Sequence, residues 1–424
     1  MSPYGYPSKI QIQTINLCNF KCPLCPYPVV SEGRRAQRLS RDILERIVAD
    51  TRAAGRRVVL CLMLQNEPLL DRRFLALARW LHDECDDVIT SLATVTNGSA
   101  LTGSLLDALA ELPRFHLTVS VNATDAAQYQ QVNGVDRFER LVSLLEGWTG
   151  PRQRVRLSYL ALAGQEDRAR RFLERWTPSG YAVRLVPVMS RAGTIEISGA
   201  LRLQSDDFGH CHYPVDTLNV RVDGEVILCC NDWEHSETFG SLQHASVSDI
   251  WNSPRLRELR EAAMGGWLRE ASTACRGCDY PMRSALRAQL GKSILSSRSL
   301  SGPYRIVPHT AELREASGTP LAHLVVDLCS DGLAVVAVED PAGVVPGSSL
   351  QLTPRIAYSG LFSFGSFAGR AVPVTVTAIQ AGPPTLLTLS VDTSHPAAAV
   401  WSWYCADWTP PPQPEMRAHS HSPR

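Results

Sequence analysis

Lysine is nearly absent from this chain: among 42 basic residues only Lys9, Lys21 and Lys292 are lysine, and arginine supplies the rest against 42 acidic residues. The net charge of zero gives no bulk attraction to a polyanion, so nucleic-acid binding is not expected. No stretch of about 18 uninterrupted apolar residues occurs, so no membrane span is expected. The chain does not open on a basic segment followed by an apolar run, so no export signal is read and a cytoplasmic protein is expected. Without export, the twelve cysteines point to reduced thiols and metal ligation rather than disulfides. The 424 residues allow about two to three domains with substantial cores.

What is present first is an alternation of patterns. "IQIQTIN" (10–16) alternates apolar and polar residues and reads as a strand. Ser40 is read as the N-cap of a helix whose stripe is Ile43, Leu44, Ile47 and Val48. "RVVLCLMLQNEPLL" reads as a buried strand, and a helix with Phe74, Leu77 and Leu81 on its apolar face follows. Strands "ITSLATVTN", "FHLTVSVNA", "RVRLSYLAL" and "YAVRLVPVM" then alternate with helices near 105–112, 137–148 and 167–176. Six strands alternating with five helices predict a parallel α/β domain, either a partial (β/α)6 TIM-like barrel or an open doubly wound sheet. In both, the working loops lie at the C-terminal ends of the strands.

After Gly193 the pattern changes. "TLNVRVDGEVILCC" predicts a hairpin turning at Asp223-Gly224. "SVSDIWNSPRLRELREAAM" predicts one capped amphipathic helix, with "CRGC" just beyond it. From about residue 300, short valine- and leucine-rich runs predict a small all-β module, and the proline-rich end reads as disordered. The expected organisation is an α/β domain at 1–195, a cysteine-bearing segment at 196–298, an all-β module at 299–408 and a tail at 409–424.

Eight cysteines fall into two patterns, a set of three and a set of five that can supply four ligands. Cys18, Cys22 and Cys25 form a CX3CX2C set in the loop after the first strand. Three thiolates either borrow a fourth ligand for zinc or hold three irons of a [4Fe-4S] cube, leaving one iron open to a small molecule. Cys211, the pair Cys229 and Cys230, and Cys275 with Cys278 can supply four thiolates, a closed site suited to electron transfer; zinc is the alternative. Cys61, Cys85, Cys329 and Cys405 are isolated and read as small buried hydrophobes. Cys61 shares strand parity with Glu67, however, so it is also considered as a hydrogen-atom donor facing a barrel interior. Arg191, after the sixth strand, is read as an active-site residue that binds a polar substrate or helps deprotonate it, or else as a surface ion-pairing residue.

With these motifs the chain resembles the radical S-adenosylmethionine (SAM) enzymes over roughly residues 8–190. The resemblance implies that Cys18, Cys22 and Cys25 hold the cluster whose open iron binds SAM, and that one-electron reduction yields a 5'-deoxyadenosyl radical. "QNEPLL" stands where the family has Gly-Gly-Glu-Pro, which assigns Asn66 and Glu67 to the SAM amino group, with both glycines replaced. Ser120 and Asn122 are assigned to the ribose, and backbone near Val188 to the adenine; plain turn roles for Ser120 and Asn122, and a helix-capping one for Glu67, are the alternatives. "VRVDGEVILCCND" and "FGSLQHASVSDIWNSP" resemble the SPASM/twitch extension with one auxiliary cluster. That likeness implies an auxiliary [4Fe-4S] cluster on Cys211, Cys229, Cys275 and Cys278, selecting Cys229 over Cys230. It further implies an oxidoreductase acting on a hydroxyl-bearing small molecule such as an aminocyclitol or sugar, supplied with electrons by a flavodoxin- or ferredoxin-type donor. The alternative activity is maturation of a ribosomally made peptide.

Overall fold

The computed structural model describes residues 5–32, 35–162, 165–176, 178–195, 211, 213–280 and most of the strands between 305 and 394. The expected tail at 409–424 and Cys405 lie outside them. The chain runs β1 (Lys9–Ile12), α1 (Tyr27–Val30), α2 (Arg41–Ala53), β2 (Val58–Cys61), α3 (Phe74–Asp83), β3 (Ile89–Thr96), α4 (Gly103–Ala110) and β4 (Phe115–Ser120). It continues with α5 (Ala126–Asn133), α6 (Phe138–Gly147), β5 (Val155–Ala161), α7 (Glu166–Trp176) and β6 (Ala182–Pro187).

These six strands are parallel and lie side by side in sequence order. A doubly wound sheet reverses its strand order at a switch point. This sheet never does, and its first and sixth strands do not pair with each other, so it is the wall of a partial barrel.

One face of the wall carries Ile10, Leu60, Leu92 and Phe115 in register, packed with Ile43 and Ile47 of α2 and Leu77 and Leu81 of α3. Burying side chains of this size contributes roughly 1.5–3 kcal/mol each. The next register row, Gln11, Cys61, Ala93 and His116, points the other way, into the barrel interior.

The second segment is α8 (Tyr213–Asp216), β7 (Thr217–Val220), β8 (Glu225–Ile227), β9 (Thr238–Ser241), α9 (Val247–Trp251), α10 (Pro254–Gly265), α11 (Leu268–Ala271) and α12 (Thr273–Arg276). The expected hairpin forms, with Gly224 at φ +83 in its turn. Its first strand does not found a separate sheet: β7 pairs in parallel with β1, so that β7, β8 and β9 extend the barrel wall to nine strands.

Three expectations change. Strands β1 and β2 are shorter than their sequence runs, because the chain turns away after Ile12 and Cys61 to build the site loops. Helix α5 was not expected. The single helix over 247–264 is two, because the residue before Pro254 is driven out of helical conformation: Ser253 has ψ 147.

In the C-terminal module, β10 (Arg305–Val307), β11 (Thr310–Glu315), β12 (Pro320–His323), β13 (Asp327–Ser330), β14 (Leu333–Val338), β15 (Ser349–Arg355), β16 (Val372–Gln380) and β17 (Thr385–Val391) form one antiparallel sheet, as expected. Among the described residues no helix is long and apolar enough to cross a membrane.

Candidate functional site

The loop leaving β1 is tied down before it reaches its cysteines. Asn16 donates to the Arg35 carbonyl at 2.9 Å and accepts from the Gln37 amide at 2.8 Å. The Tyr27 hydroxyl accepts from the Cys18 amide at 2.8 Å and donates to the Asn16 carbonyl at 3.1 Å, closing the loop on itself. The Cys25 amide donates to the Cys22 carbonyl at 3.1 Å. Beneath, buried Phe20 stands edge-on to Tyr129 of α5. The Cys22 thiol faces the Asn133 carbonyl at 3.5 Å.

Burial pushes the Cys18 thiol up to about 11 and Cys22 to about 12, and raises Cys25. Cys22 is raised further by the charges of Cys25 and Cys18, so the three sulfurs share one pocket, while Arg191 pulls Cys22 and Cys25 down. A dry pocket of mutually repelling thiolates is stable only when a cation takes the place of their protons. A zinc ion needs its sulfur ligands about 2.3 Å from one point. Among the described residues no group of three His, Cys, Asp or Glu side chains is placed to hold a single ion. This donor set fits an iron-sulfur cube with one iron left over.

The segment after β2 lies beside this loop. The Glu67 amide donates to the Leu17 carbonyl at 2.8 Å. Its carboxylate, 2% exposed, accepts from the Thr96 hydroxyl at 2.6 Å, the Asn97 amide at 2.6 Å and the Leu69 amide at 3.1 Å. Burial pushes the group up to about 7 against the pull of these donors. Glu67 therefore caps the turn at 68–70 and fastens it to the end of β3, the capping use that was its alternative reading. Asn66 turns its carbonyl oxygen to the Leu64 amide at 2.9 Å and leaves its buried Nδ2 without a partner. The unsatisfied atom is a donor, so it matches a carboxylate rather than the amino group of an amino-acid ligand.

Ser120 and Asn122 sit at the C-terminal end of β4. The Ser120 hydroxyl accepts from Ser158 at 3.5 Å, and the Asn122 amide donates to the Ser158 carbonyl at 3.1 Å. Asn122, at φ +61, reaches Asn133 with its side chain at 3.4 Å and so braces the residue behind Cys22. The Val188 amide is spent on the Ala161 carbonyl at 3.2 Å, which leaves only its carbonyl for a ligand. Cys61 is buried, with Met63 O 3.9 Å from its sulfur; burial raises its thiol, and the charge of Cys230 raises it further.

The second cysteine set gathers around a small core of Tyr213, Leu228, Leu259 and Leu268. Burial raises the thiols of Cys275 to about 11 and Cys278 to about 12, and those of Cys211 and Cys229 well above the ordinary range. Cys229 is raised further by Cys230, Cys278, Cys211 and Cys275, which puts it at the centre of the group. The Cys230 sulfur lies 2.8 Å from the Tyr213 hydroxyl and, being close enough to Cys61 to raise it, points back toward the barrel.

Side chains and amides that were not read as cluster ligands join the two sites. The Ser190 amide donates to Asp279 Oδ2 at 2.7 Å, and Arg191 Nη1 donates to Asn231 Oδ1 at 3.4 Å. Gln65 reaches the loop after Cys229 from the other side. Only its place beside Cys278 could have marked Asp279, whereas Asn231 stands within the quoted motif after Cys230. The wrong-handed backbone of Gln65 was signalled by its standing where a glycine is expected.

The family model for the radical SAM superfamily matches residues 12–149, and that for the SPASM iron-sulfur cluster-binding domain matches residues 211–279. Among curated proteins none matches this chain. Among solved structures, Streptococcus suis SuiB bound to precursor peptide SuiA is similar over 60% of this chain and 67% of its own, at 13% identity and TM-score 0.50. BtrN in complex with AdoMet and 2-DOIA is similar over 64% of this chain and 92% of its own, at 18% identity and TM-score 0.46. Native anSMEcpe with bound AdoMet is similar over 60% of this chain and 83% of its own, at 13% identity and TM-score 0.46.

Proposed function

This chain belongs to the radical SAM superfamily and carries a SPASM cluster-binding region; from that premise we propose that it oxidises a hydroxyl-bearing small molecule of the aminocyclitol or sugar type. When bound, SAM and its [4Fe-4S] cluster supply a 5'-deoxyadenosyl radical that takes hydrogen from an unactivated C–H bond, and an auxiliary [4Fe-4S] cluster takes up the electron left behind. Cys18, Cys22 and Cys25 would hold the first cluster. Cys211, Cys229, Cys275 and Cys278 would hold the second, because Cys230 is turned away to Tyr213.

One observation supports the reading: residues next to the second cysteine set, Asp232, Asn231 and Asp279, are hydrogen-bonded to Gln65, Arg191 and Ser190 at the ends of the barrel strands. A site that must collect an electron from a substrate radical has to stand this close. The interior row of Gln11 and His116, with Ser120 and Ser158 above, offers the polar lining that a hydroxylated substrate needs. Asn66 Nδ2 would donate to the SAM carboxylate. Arg191, between the two cysteine sets, would orient the substrate or help remove its proton.

Peptide maturation is the second reading, and the interior placement of Cys61 near Cys230 favours it, since epimerisation needs a group that returns a hydrogen atom. Deuterated aminocyclitols and sugars, incubated with the reconstituted enzyme, dithionite and SAM, separate the two. Deuterium entering 5'-deoxyadenosine, with a ketone formed in equal amount, is expected; label entering only from a peptide would replace the first reading by the second. A flavodoxin- or ferredoxin-type donor would replace dithionite in the cell.

A further inference from the structure

Gln65 is held at φ +54 although it is not glycine, and it is 7% exposed. A left-handed backbone costs such a residue about 1–2 kcal/mol, so the side chain must return something for it. Its amide is wholly committed to one distant loop. Nε2 donates to the Asp232 carbonyl at 3.0 Å and the Cys230 carbonyl at 3.3 Å, and Oε1 meets His235 Nε2 at 3.0 Å.

That loop is itself rigid. The Asp232 amide donates to the Cys229 carbonyl at 3.2 Å, and the Asp232 carboxylate accepts from the Ser236 and Glu237 amides at 3.0 and 3.1 Å. On the other side, Gln65 is two residues from Glu67, whose amide is bonded to Leu17 O beside Cys18. A continuous run of backbone and hydrogen bonds thus leads from Cys18 through Leu17, Glu67, Asn66 and Gln65 to Asp232 and Cys229.

We propose that Gln65 is a positioning residue that fixes the Cys229 loop against the SAM-binding segment and thereby sets the environment and potential of the auxiliary cluster. The inference rests on the two-cluster reading above, and glycine in its place would lower the backbone cost while forfeiting the latch.

The test uses the full-length reconstituted protein and its Gln65→Gly and Gln65→Glu variants. Glycine accepts the backbone conformation without strain, so this variant removes the amide alone. Glutamate keeps the shape and the His235 contact but turns a carboxylate oxygen toward two carbonyls. Iron per chain is counted, and the EPR signal that SAM addition leaves unchanged is followed through a potentiometric titration.

Expected are a shifted midpoint potential and altered g-values for that signal in Gln65→Gly, with a larger change or selective loss of the signal in Gln65→Glu. Signals and potentials that coincide with the wild type in both variants overturn the proposal. So does equal iron loss from both sites, which would make Gln65 a general packing residue. A wild-type protein lacking the second signal would instead sink the two-cluster reading itself, a distinguishable failure.

Discussion

At Gly134 the backbone has no room for even one more carbon: a Cβ there would lie 2.4 Å from the Lys21 carbonyl oxygen, and φ is +69. Gly134→Ala is therefore expected to destabilise the protein by about 2–4 kcal/mol and to lower iron in the three-cysteine site. Gly55→Ala is the control, with φ +61 but nothing within 4 Å of its Cβ. It should cost only about 1–2 kcal/mol and leave iron untouched, and equal iron loss in both would remove the steric argument. His116 gives a pH signature. Burial and the charges of Arg156 and Arg154 lower it to about 4 from 6.5. Between those values the unfolded chain binds a proton that the native state refuses, so stability present above pH 6.5 is lost as pH falls, by roughly 3 kcal/mol at most. His116→Gln should flatten that limb of the stability curve measured by denaturant titration, whereas an unchanged slope would clear His116 of the effect. The cysteines were legible because their chemistry fixes their spacing. Gln65, Asn133 and Gly134 were not, because what they do depends on neighbours far away in the sequence.

Among the elements that sequence periodicity missed, α5 bears most directly on the first cysteine set. Its buried face is Gln128, Tyr129, Val132 and Asn133, so half of what it hides is polar and no apolar stripe marks it. Gln128 instead donates to the Tyr159 hydroxyl at 2.6 Å. The helix is started by Asp125, which accepts from the Gln128 amide at 2.8 Å, and it ends against the cysteine loop. Asp125→Ala should cost about 1 kcal/mol and, by loosening the wall behind Cys22, speed the loss of iron to a chelator. An unchanged chelation rate would show that α5 is not part of that wall. The hairpin and α2 were legible because Asp223-Gly224 and Ser40 act locally. The split between α9 and α10 was missed although Pro254 was in plain view, because the apolar periodicity that runs through it was given more weight than its effect on the preceding residue.

At the scale of the molecule, the sequence divided the chain where its patterns change, near residue 195, but the sheet does not stop there. β1 is hydrogen-bonded on one side to β2 and on the other to β7, far later in the chain, with the Ser8 amide on the Asp216 carbonyl and the Gln13 amide on the Val220 carbonyl continuing the ladder at 3.0 and 2.9 Å. Strand pairing at that separation leaves no local trace in a sequence. A chain ending at residue 195 keeps every motif of the first site but exposes the β1 edge, and light scattering should show it aggregating. A soluble, monomeric fragment that still binds iron would refute this.

The same ladder has a meaning for how the protein is made. The strand that delivers Cys18 leaves the ribosome long before its partner β7 and waits with one side unpaired until the hairpin of the second segment has been synthesised. The loops that carry the two cysteine sets therefore mature as one folding unit. A nascent chain stalled between them is the form most in need of a chaperone, and the least ready to receive iron.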